Sequence, residues 1–282
     1  GIDMSDPYVT FHSIYMESVW WIIKEIYSKN LVYKGYTVQP YSPAAGSGLS
    51  SHELNQPGAY KEISDTSIVA QFKCKKEGLS NELINLYPFY FLAWTTTPWT
   101  LPSNTALTIG KKINYSFIKT YNQYTKDKIT VVLATKLIDK IFSKNFFEVK
   151  SETELNSFDK NQSKIPFLKF HELLGEDLEN INYERIWDES PLPLDNPENA
   201  FRIISGDFVT TEDGTGIVHT APTFGADDYK AAKNANPKVP PLQVFDKNGN
   251  KVPIVDLKGK FIEGIGLVLS LIHISEPTRP RL

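Results

Sequence analysis

The first strong pattern of apolar and polar positions along the chain is helical. Between residues 13 and 29, apolar side chains recur every three to four positions while most charged residues fall elsewhere, which predicts an amphipathic helix. Asn30 and Gly35 follow as residues that end helices, and we expect a strand over Tyr36–Tyr41. A helix followed by a strand suits the edge of a nucleotide-binding fold.

From about residue 62 the pattern changes to short apolar runs separated by turn residues, which predicts strands. The predicted strands are Ser67–Phe72, Phe89–Trp94, Tyr115–Lys119, Ile129–Leu133, Phe146–Lys150, Phe201–Ile204, Gly216–His219 and Val244–Asp246. Helical spacing predicts helices at Lys136–Phe142, Leu173–Leu178 and Ala226–Asn234. Many short strands and few helices favour a mixed α/β fold, with a β-barrel-like domain and peripheral helices.

Composition excludes several classes of function. A formal net charge of −3 gives no strong basic field, so any contact with RNA is expected to be local or shared with other domains. The single cysteine, Cys74, excludes a disulfide framework and a cysteine-cluster metal site, and it is interpreted as an incidental thiol. No apolar run reaches the length of a membrane span and no signal peptide opens the chain, so the expected location is cytoplasmic.

The most informative segment is Trp94–Asn104, WTTTPWTLPSN, which follows the apolar run Phe89–Ala93. Two prolines four residues apart stop both a helix and a central strand. The threonines therefore gather in a stiff turn at a strand end, where hydroxyls can hold a polar ligand or a water. A turn capped by threonines explains one or two of these residues but not the whole string.

A second unusual segment covers residues 214–229, where GTGIVHTAP is followed by GADDY. His219 ends a predicted strand, a position in which a lone histidine is more often packed and hydrogen-bonded than catalytic. Asp227 and Asp228 open a predicted helix, and acidic residues favour a helix N-terminus. No G-x-S-x-G elbow accompanies these residues, so a covalent hydrolase triad is disfavoured.

Both segments resemble the editing domain of the isoleucyl-tRNA synthetase family, a family of class I aminoacyl-tRNA synthetases. TTTPWTLPSN is similar to its threonine-rich peptide, and residues 214–229 are similar to its other active-site motif. The opening segments DPY, ESVWW, YSP and SSHE resemble the catalytic domain just upstream.

The resemblance implies a division into three parts. Residues 1–61 are expected to be a remnant of a Rossmann-type catalytic domain, and residues 62–266 to be the editing domain. Residues 267–282 depart from the family pattern and resemble a translated sequencing adapter, so they are expected to be a non-native tail.

The function that the resemblance implies is hydrolysis of the aminoacyl ester of mischarged Val-tRNA(Ile). This family is itself the standard example of the problem: one methylene in an apolar pocket discriminates only about 150-fold, so a second site hydrolyses the errors. Editing is expected to need no cofactor and no metal. The full-length enzyme would use ATP and Mg to join isoleucine to tRNA, but HIGH-like and KMSKS-like signatures are absent here, so no aminoacylation is expected.

The expected partners are the acceptor end of tRNA(Ile) with its mischarged valine and the rest of the synthetase chain, with no membrane. The implied catalytic residues are Thr95, Thr96, Thr97 and Asp228. The hydroxyls would position a water, bind the ribose hydroxyl and stabilise the developing oxyanion, while the carboxylate would bind the ammonium.

Three further residues are implied to bind substrate. His219 would bound the side-chain pocket and exclude isoleucine, without acting as a general base. Asn104 would contact the terminal nucleotide, and Trp99 would stack on the terminal base.

Two alternatives stay open. Valyl and leucyl relatives usually carry an arginine and an acidic residue around the proline after the paired threonines, whereas Thr97-Pro98-Trp99 stands here, which favours the isoleucyl type. The other alternative is a module that grips the tRNA acceptor end without hydrolysing anything.

Overall fold

The structure, a computed structural model, separates into two compact units, residues 1–37 and residues 38–282. It describes residues 5, 7–33, 35, 37–42, 44–61, 67–188, 190–256 and 260–262. The expected tail at 267–282 lies outside the described residues, and the expected domain boundary at 61/62 stays a prediction.

The first unit contains one helix, α1 (Ser13–Ser28), among its described residues, which confirms the helix predicted at 13–29. Its apolar side chains are largely exposed, including Trp20 and Trp21 at 68% and 63%. The helix therefore owes little to packing within this unit. The Rossmann-type character of this part stays a prediction.

The second unit contains all the described strands, together with short helices. The strands are β1 (Tyr41–Ser42), β2 (Ser47–Gly48), β3 (Ile68–Lys73), β4 (Tyr90–Thr95), β5 (Ala106–Ile109), β6 (Asn114–Tyr121), β7 (Lys128–Ala134), β8 (Phe146–Glu148), β9 (Ile165–Leu174), β10 (Arg202–Ser205), β11 (Ile217–Thr220), β12 (Val244–Phe245) and β13 (Lys251–Val252). The helices are α2 (Ser51–Leu54), α3 (Asn81–Leu86), α4 (Ile138–Ile141), α5 (Glu152–Asn156), α6 (Gly175–Leu178) and α7 (Ala226–Asn234), with 3-10 turns at Pro98–Ser103, Thr135–Leu137 and Pro197–Asn199.

Six segments of the second unit form a closed ring. β3 runs antiparallel to β4, β4 parallel to β11, β11 antiparallel to β5, and β5 parallel to β10. Residues 180–184 close the ring, because Asn182 bridges Arg202 of β10 and Tyr183 bridges Cys74 beyond β3. Backbone hydrogen bonds of 2.7 to 2.9 Å support both sides of this closure. The barrel-like, mixed α/β fold is thus confirmed.

A second group of strands, β7, β6, β9 and β8, extends from β4. β7 pairs with the start of β4 and β11 with its end, so the sheet divides along one edge of β4. In β7, Val132 and Ala134 face the core inside the barrel, whereas Val131 and Leu133 face a second core beneath α4. Side chains alternate along a strand, so a strand between two cores is apolar on both faces.

Most predicted elements are confirmed, and two need correction. Every strand predicted after residue 66 is found within two residues of its expected ends, and α7 has the predicted bounds. The strand predicted at Tyr36–Tyr41 is wrong in extent: only Tyr41 pairs, in β1, and Tyr36 lies outside the described residues. The helix predicted at Leu173–Leu178 begins at Gly175, because β9 continues to Leu174 against β6.

Candidate active site

The two motifs singled out in the sequence meet at one end of the barrel. β4 ends at Thr95 and leads into the 3-10 turn Pro98–Ser103, while β11 ends at Thr220. β4 and β11 are parallel neighbours with Val218 opposite Trp94, so their carboxyl ends lie at the same edge. Strand pairing therefore brings together segments more than a hundred residues apart.

Of the three consecutive threonines in the turn, the first is buried and the other two are exposed. Thr95 is buried, and its hydroxyl oxygen accepts a hydrogen bond from the backbone N–H of Thr97 at 3.0 Å. Thr96 and Thr97 are exposed, and the Thr96 hydroxyl bonds to none of the residues that the structure describes. The Thr97 hydroxyl oxygen lies 3.3 Å from that of Thr95 and 3.3 Å from that of Thr100. Thr95 thus stabilises the turn, while Thr96 and Thr97 present hydroxyls at its surface.

His219 lies buried behind this turn, between two polar side chains. Its Nε2 is 3.0 Å from the hydroxyl oxygen of Thr100, and its Nδ1 is 2.9 Å from the amide nitrogen of Asn104. Burial lowers the pKa of His219 from 6.5 to about 4, so the imidazole is neutral at pH 7. A neutral, weakly basic ring suits a pocket wall better than a general base.

The stability of the protein is expected to fall on acidification because of His219. The folded-state pKa of about 4 lies below the ordinary 6.5, so the unfolded chain takes up the proton first. The contribution of His219 is complete above pH 6.5 and is lost as the pH falls towards 4, by about 3 kcal/mol. Urea unfolding at several pH values, compared with His219→Gln, measures this loss. Equal pH slopes for the two proteins would contradict the prediction.

Asn104 is buried, and both the nitrogen and the oxygen of its side-chain amide have partners in the protein. Its amide nitrogen donates to the carbonyl of Ala106 at 2.7 Å, and its amide oxygen accepts from the hydroxyl of Tyr183 at 2.6 Å. Trp99, by contrast, is half-buried in the 3-10 turn. Asn104 therefore contacts His219 rather than the surface, and Trp99 retains exposed area.

Asp228 occupies the first turn of α7 and is half-buried. Its Oδ2 accepts a hydrogen bond from the N–H of Ala221 at 2.9 Å, two residues beyond His219. Burial raises the pKa of Asp228 above that of an ordinary aspartate. Gly225 packs against this carboxylate so closely that a Cβ at position 225 would lie 2.7 Å from Oδ2 of Asp228. The side chain of Asp227, by contrast, is exposed to solvent. The carboxylate of Asp228 is therefore held in place, and that of Asp227 is not.

Part of the second motif has a purely structural task. Gly216 has a φ of +73° and lies so close to β7 that a Cβ would come within 2.3 Å of the Cβ of Ala134. The hydroxyl of Thr215 accepts from the N–H of Trp94 at 3.3 Å and donates to the carbonyl of Ile217 at 3.2 Å. These residues bring β11 against β4, which is the condition for the site to form.

Other features of the molecule lie apart from this site. A groove of about 560 Å³ is lined by residues that include Lys75, Arg185 and Phe201, and it contains no residue of either motif. Burial raises the pKa of the Cys74 thiol to about 12, which makes it unreactive. Within the described ranges, no three His, Cys, Asp or Glu side chains cluster as metal ligands. None of the helices described is both long and apolar enough to cross a bilayer.

The described residues thus form a closed β-barrel that carries a hydroxyl-rich turn, a buried neutral histidine and a half-buried carboxylate at one end. Residues 1–212 match the family model of tRNA synthetases class I (I, L, M and V), and the chain belongs to this family.

Individual relatives narrow the similarity to one type within the family. The chain is 52% identical over 261 residues to the isoleucine–tRNA ligase of Bacteroides fragilis, covering 92% of the chain and 22% of that protein. It is 49% identical to the isoleucine–tRNA ligase of Cytophaga hutchinsonii, covering 94% and 22%. The chain thus spans about a fifth of the length of these relatives, and the resemblance to isoleucyl enzymes is confirmed.

Among solved structures, the chain is similar to the P. knowlesi cytosolic leucyl-tRNA synthetase editing domain. The TM-score is 0.40 at 12% sequence identity, with 61% of this chain and 63% of that chain covered.

Proposed function

We propose that this chain is the editing part of an isoleucine–tRNA ligase and hydrolyses the ester that joins valine to tRNA(Ile). One observation carries the proposal: the threonine motif and the histidine motif meet, with the Thr100 hydroxyl oxygen 3.0 Å from Nε2 of His219. Neither motif has a covalent nucleophile or a strong base. What they combine is hydroxyls, a neutral imidazole and one carboxylate, a set suited to holding an ester and a water.

The ammonium group of the valyl ester is bound by Asp228 in this proposal. The free amino group of an aminoacyl ester is cationic, and a carboxylate is its natural partner. Partial burial strengthens such a contact, because the surrounding dielectric constant is lower than in water. The N–H of Ala221 binds Oδ2 of Asp228, and in this proposal Oδ1 accepts from the ammonium group.

The hydroxyls of the turn orient the attacking water and stabilise the oxyanion that forms on the ester carbonyl. Thr96 and Thr97 are exposed at the end of β4. The buried Thr95 stabilises the turn by accepting a hydrogen bond from the N–H of Thr97. Hydroxyl donors aimed at developing charge lower the barrier without any proton transfer of their own. Threonine is a poor base, so the proton of the water leaves through the substrate's own ribose hydroxyl or through solvent.

His219 forms a wall of the side-chain pocket. Its ring is buried and is neutral at pH 7, so it offers shape rather than charge. A rigid wall accepts valine and rejects isoleucine, which is one methylene larger. Trp99, half-buried in the same turn, is available to stack on the terminal base.

The whole ligase would need ATP and Mg²⁺ for its synthetic reaction. The described residues offer no carboxylate or histidine cluster for such an ion, and no step of the proposed hydrolysis passes through one.

Deacylation of purified Val-tRNA(Ile) by the purified chain tests the function, with Ile-tRNA(Ile) as the matched substrate. We expect hydrolysis above the buffer rate for the valyl ester and little for the isoleucyl ester. Binding without hydrolysis would instead support an acceptor-end binding module, and a preference for tRNA(Val) or tRNA(Leu) would support the other synthetase types. Circular dichroism and thermal melting of the same sample check that the chain is folded.

A further inference from the structure

We propose that Gly225 is a positioning residue of this site: its lack of a side chain lets the carboxylate of Asp228 lie across the turn between β11 and α7 and bind the N–H of Ala221. Gly225 is the N-cap residue of α7. The placement of the carboxylate depends only on contacts within the protein. The effect of that placement on hydrolysis rests on the proposed function.

The first step is the closure of the turn formed by residues 221–225. The carbonyl of Ala221 accepts hydrogen bonds from the N–H groups of Phe224 at 2.9 Å and of Gly225 at 3.2 Å. The N–H of Ala221 donates to Oδ2 of Asp228 at 2.9 Å. Ala221 is buried, so its N–H needs an acceptor within the protein. The carboxylate of Asp228 is that acceptor, and it thereby joins the first turn of α7 to the residue that follows β11.

The second step is the space that this placement requires at position 225. A Cβ at position 225 would lie 2.7 Å from both Cγ and Oδ2 of Asp228, and 3.1 Å from its Cβ. Carbon atoms in good contact lie about 3.5–4.0 Å apart, so these separations are overlaps. Every residue other than glycine carries a Cβ. The observed position of the carboxylate is therefore compatible only with glycine at position 225.

The third step excludes the backbone as the reason for the glycine. Gly225 has a φ of −103° and a ψ of 132°, an extended conformation that any residue adopts. The three atoms nearest to the added Cβ all belong to the side chain of Asp228. Gly216 differs on both counts, because its φ is +73° and its added Cβ would meet the Cβ of Ala134 in β7. A methyl group at position 225 should thus displace the carboxylate of Asp228 and leave the backbone as it is.

Displacement of the carboxylate has two consequences for the site. The buried N–H of Ala221 loses its acceptor. The side chain of Asp228 rotates to relieve the overlap and gives up the position in which we place the ammonium group. Burial raises the pKa of Asp228, so a carboxylate that leaves its half-buried position should have a pKa closer to that of an ordinary aspartate.

Gly225→Ala tests the proposal in two backgrounds, the parent and Asp228→Ala. In the parent, we expect kcat/KM for deacylation of Val-tRNA(Ile) to fall by about 10- to 100-fold, the effect of a misplaced binding group. In the Asp228→Ala background the added methyl group meets no carboxylate, so we expect no further fall. Single-turnover deacylation at subsaturating enzyme concentration measures kcat/KM for all four proteins. A general loss of structure would lower activity in both backgrounds and would not produce this interaction between the two substitutions.

Two NMR measurements follow the carboxylate without any RNA. Hydrogen exchange of the Ala221 amide is expected to be slow in the parent, where Asp228 accepts from it, and faster in Gly225→Ala. The carboxyl carbon-13 resonance of Asp228 is expected to titrate at a higher pH in the parent than in Gly225→Ala, because burial raises its pKa only in the parent position. Asp227→Asn is the matched control for exchange, since Asp227 carries the same charge in the same helical turn but is exposed. It should leave the exchange of the Ala221 amide unchanged.

Gly225→Ser covers the case in which Gly225→Ala does not fold. Serine also carries a Cβ, but it is a preferred N-cap residue, so it should displace the carboxylate while supporting the start of α7. Failure of both variants to fold even in the Asp228→Ala background overturns the proposal, because the glycine would then serve the fold alone.

The other outcomes separate the proposal from the proposed function. A folded Gly225→Ala protein with unchanged exchange of the Ala221 amide overturns the proposal, and so does an equal loss of activity in both backgrounds. Faster exchange without any loss of activity supports the placement of the carboxylate and counts against the assignment of Asp228 to the ammonium group. A parent with the expected exchange and titration but no deacylation counts against the proposed function alone.

Discussion

Replacement of Asp228 by asparagine is expected to lower kcat/KM for deacylation of Val-tRNA(Ile) by about 100-fold. The variant keeps an oxygen for the N–H of Ala221 but loses the charge that binds the ammonium group. Loss of one partner from a partly buried charge pair costs about 2–5 kcal/mol, and about 2.7 kcal/mol corresponds to 100-fold. Steady-state deacylation at pH 7.5 measures the effect.

Asp227→Asn is the control that the chain itself offers. Asp227 precedes Asp228 in the same helical turn and carries the same charge, but it is exposed. If both variants lose activity equally, the ammonium site is not where we place it. Because burial raises the pKa of Asp228, its charge is lost at a higher pH than that of an ordinary aspartate, so activity should decline early on acidification.

The double substitution Thr95→Val and Thr96→Val is expected to lower kcat by about 100- to 1000-fold, because it removes one proposed oxyanion-stabilising donor, Thr96, and the hydroxyl of Thr95 that supports the turn. Valine keeps the shape of each side chain and removes its hydroxyl. The fold should survive, because among the described residues the hydroxyls of Thr95 and Thr96 make hydrogen bonds only with Thr97, worth about 1 kcal/mol each. Single-turnover deacylation together with thermal melting separates the two effects.

The matched variant is Thr95→Ser with Thr96→Ser, which keeps both hydroxyls and removes only methyl groups. It should retain most of the activity. Parent-level hydrolysis by the valine pair would show that these hydroxyls take no part in the reaction. Loss of activity in the serine pair would point instead to packing of the buried Thr95.

The structure assigns different tasks to residues that a motif presents together. Thr95 braces the turn, while Thr96 and Thr97 reach its surface. Asn104 is expected to contact the terminal nucleotide, but its side-chain amide is hydrogen-bonded to Ala106, His219 and Tyr183. A role in holding His219 accounts for these contacts, and the role of Asn104 towards the nucleotide stays a prediction.

The sequence alone assigns no role to Thr100 or Tyr183. Thr100 lies within the threonine string, so its hydroxyl was visible as one of a group, but nothing local distinguished it. Tyr183 lies in no motif, and its contact with Asn104 follows from the barrel closure alone. The contact between Tyr183 and Asn104 can be predicted only if the strand order is already known.

Four strands are not predicted by the sequence: the two-residue strands β2 and β13, and the longer strands β5 and β9, for which physical reasons can be given. β5 is only four residues long and buried throughout, so it shows no alternation of apolar and polar positions. The second half of β9 carries the polar residues Lys169, His171 and Glu172, and its register against β6 shifts at Phe117/Ile118. Both segments are strands because neighbouring strands pair with them, and this pairing cannot be read from the residues of the segments themselves.

The short-range features of this protein can be read from its sequence: the helix at 13–29, α7, the apolar runs that become strands, and the two motifs that resemble isoleucyl-tRNA synthetases. Such features depend on residues close together in the chain, where periodicity and turn residues are decisive. The closure of the barrel through residues 180–184, and the hydrogen bonds that link Tyr183, Asn104, His219 and Thr100, come from the tertiary structure. The reason is that hydrogen bonds between side chains 79 to 119 positions apart depend on which strands pair, and no local pattern records that choice.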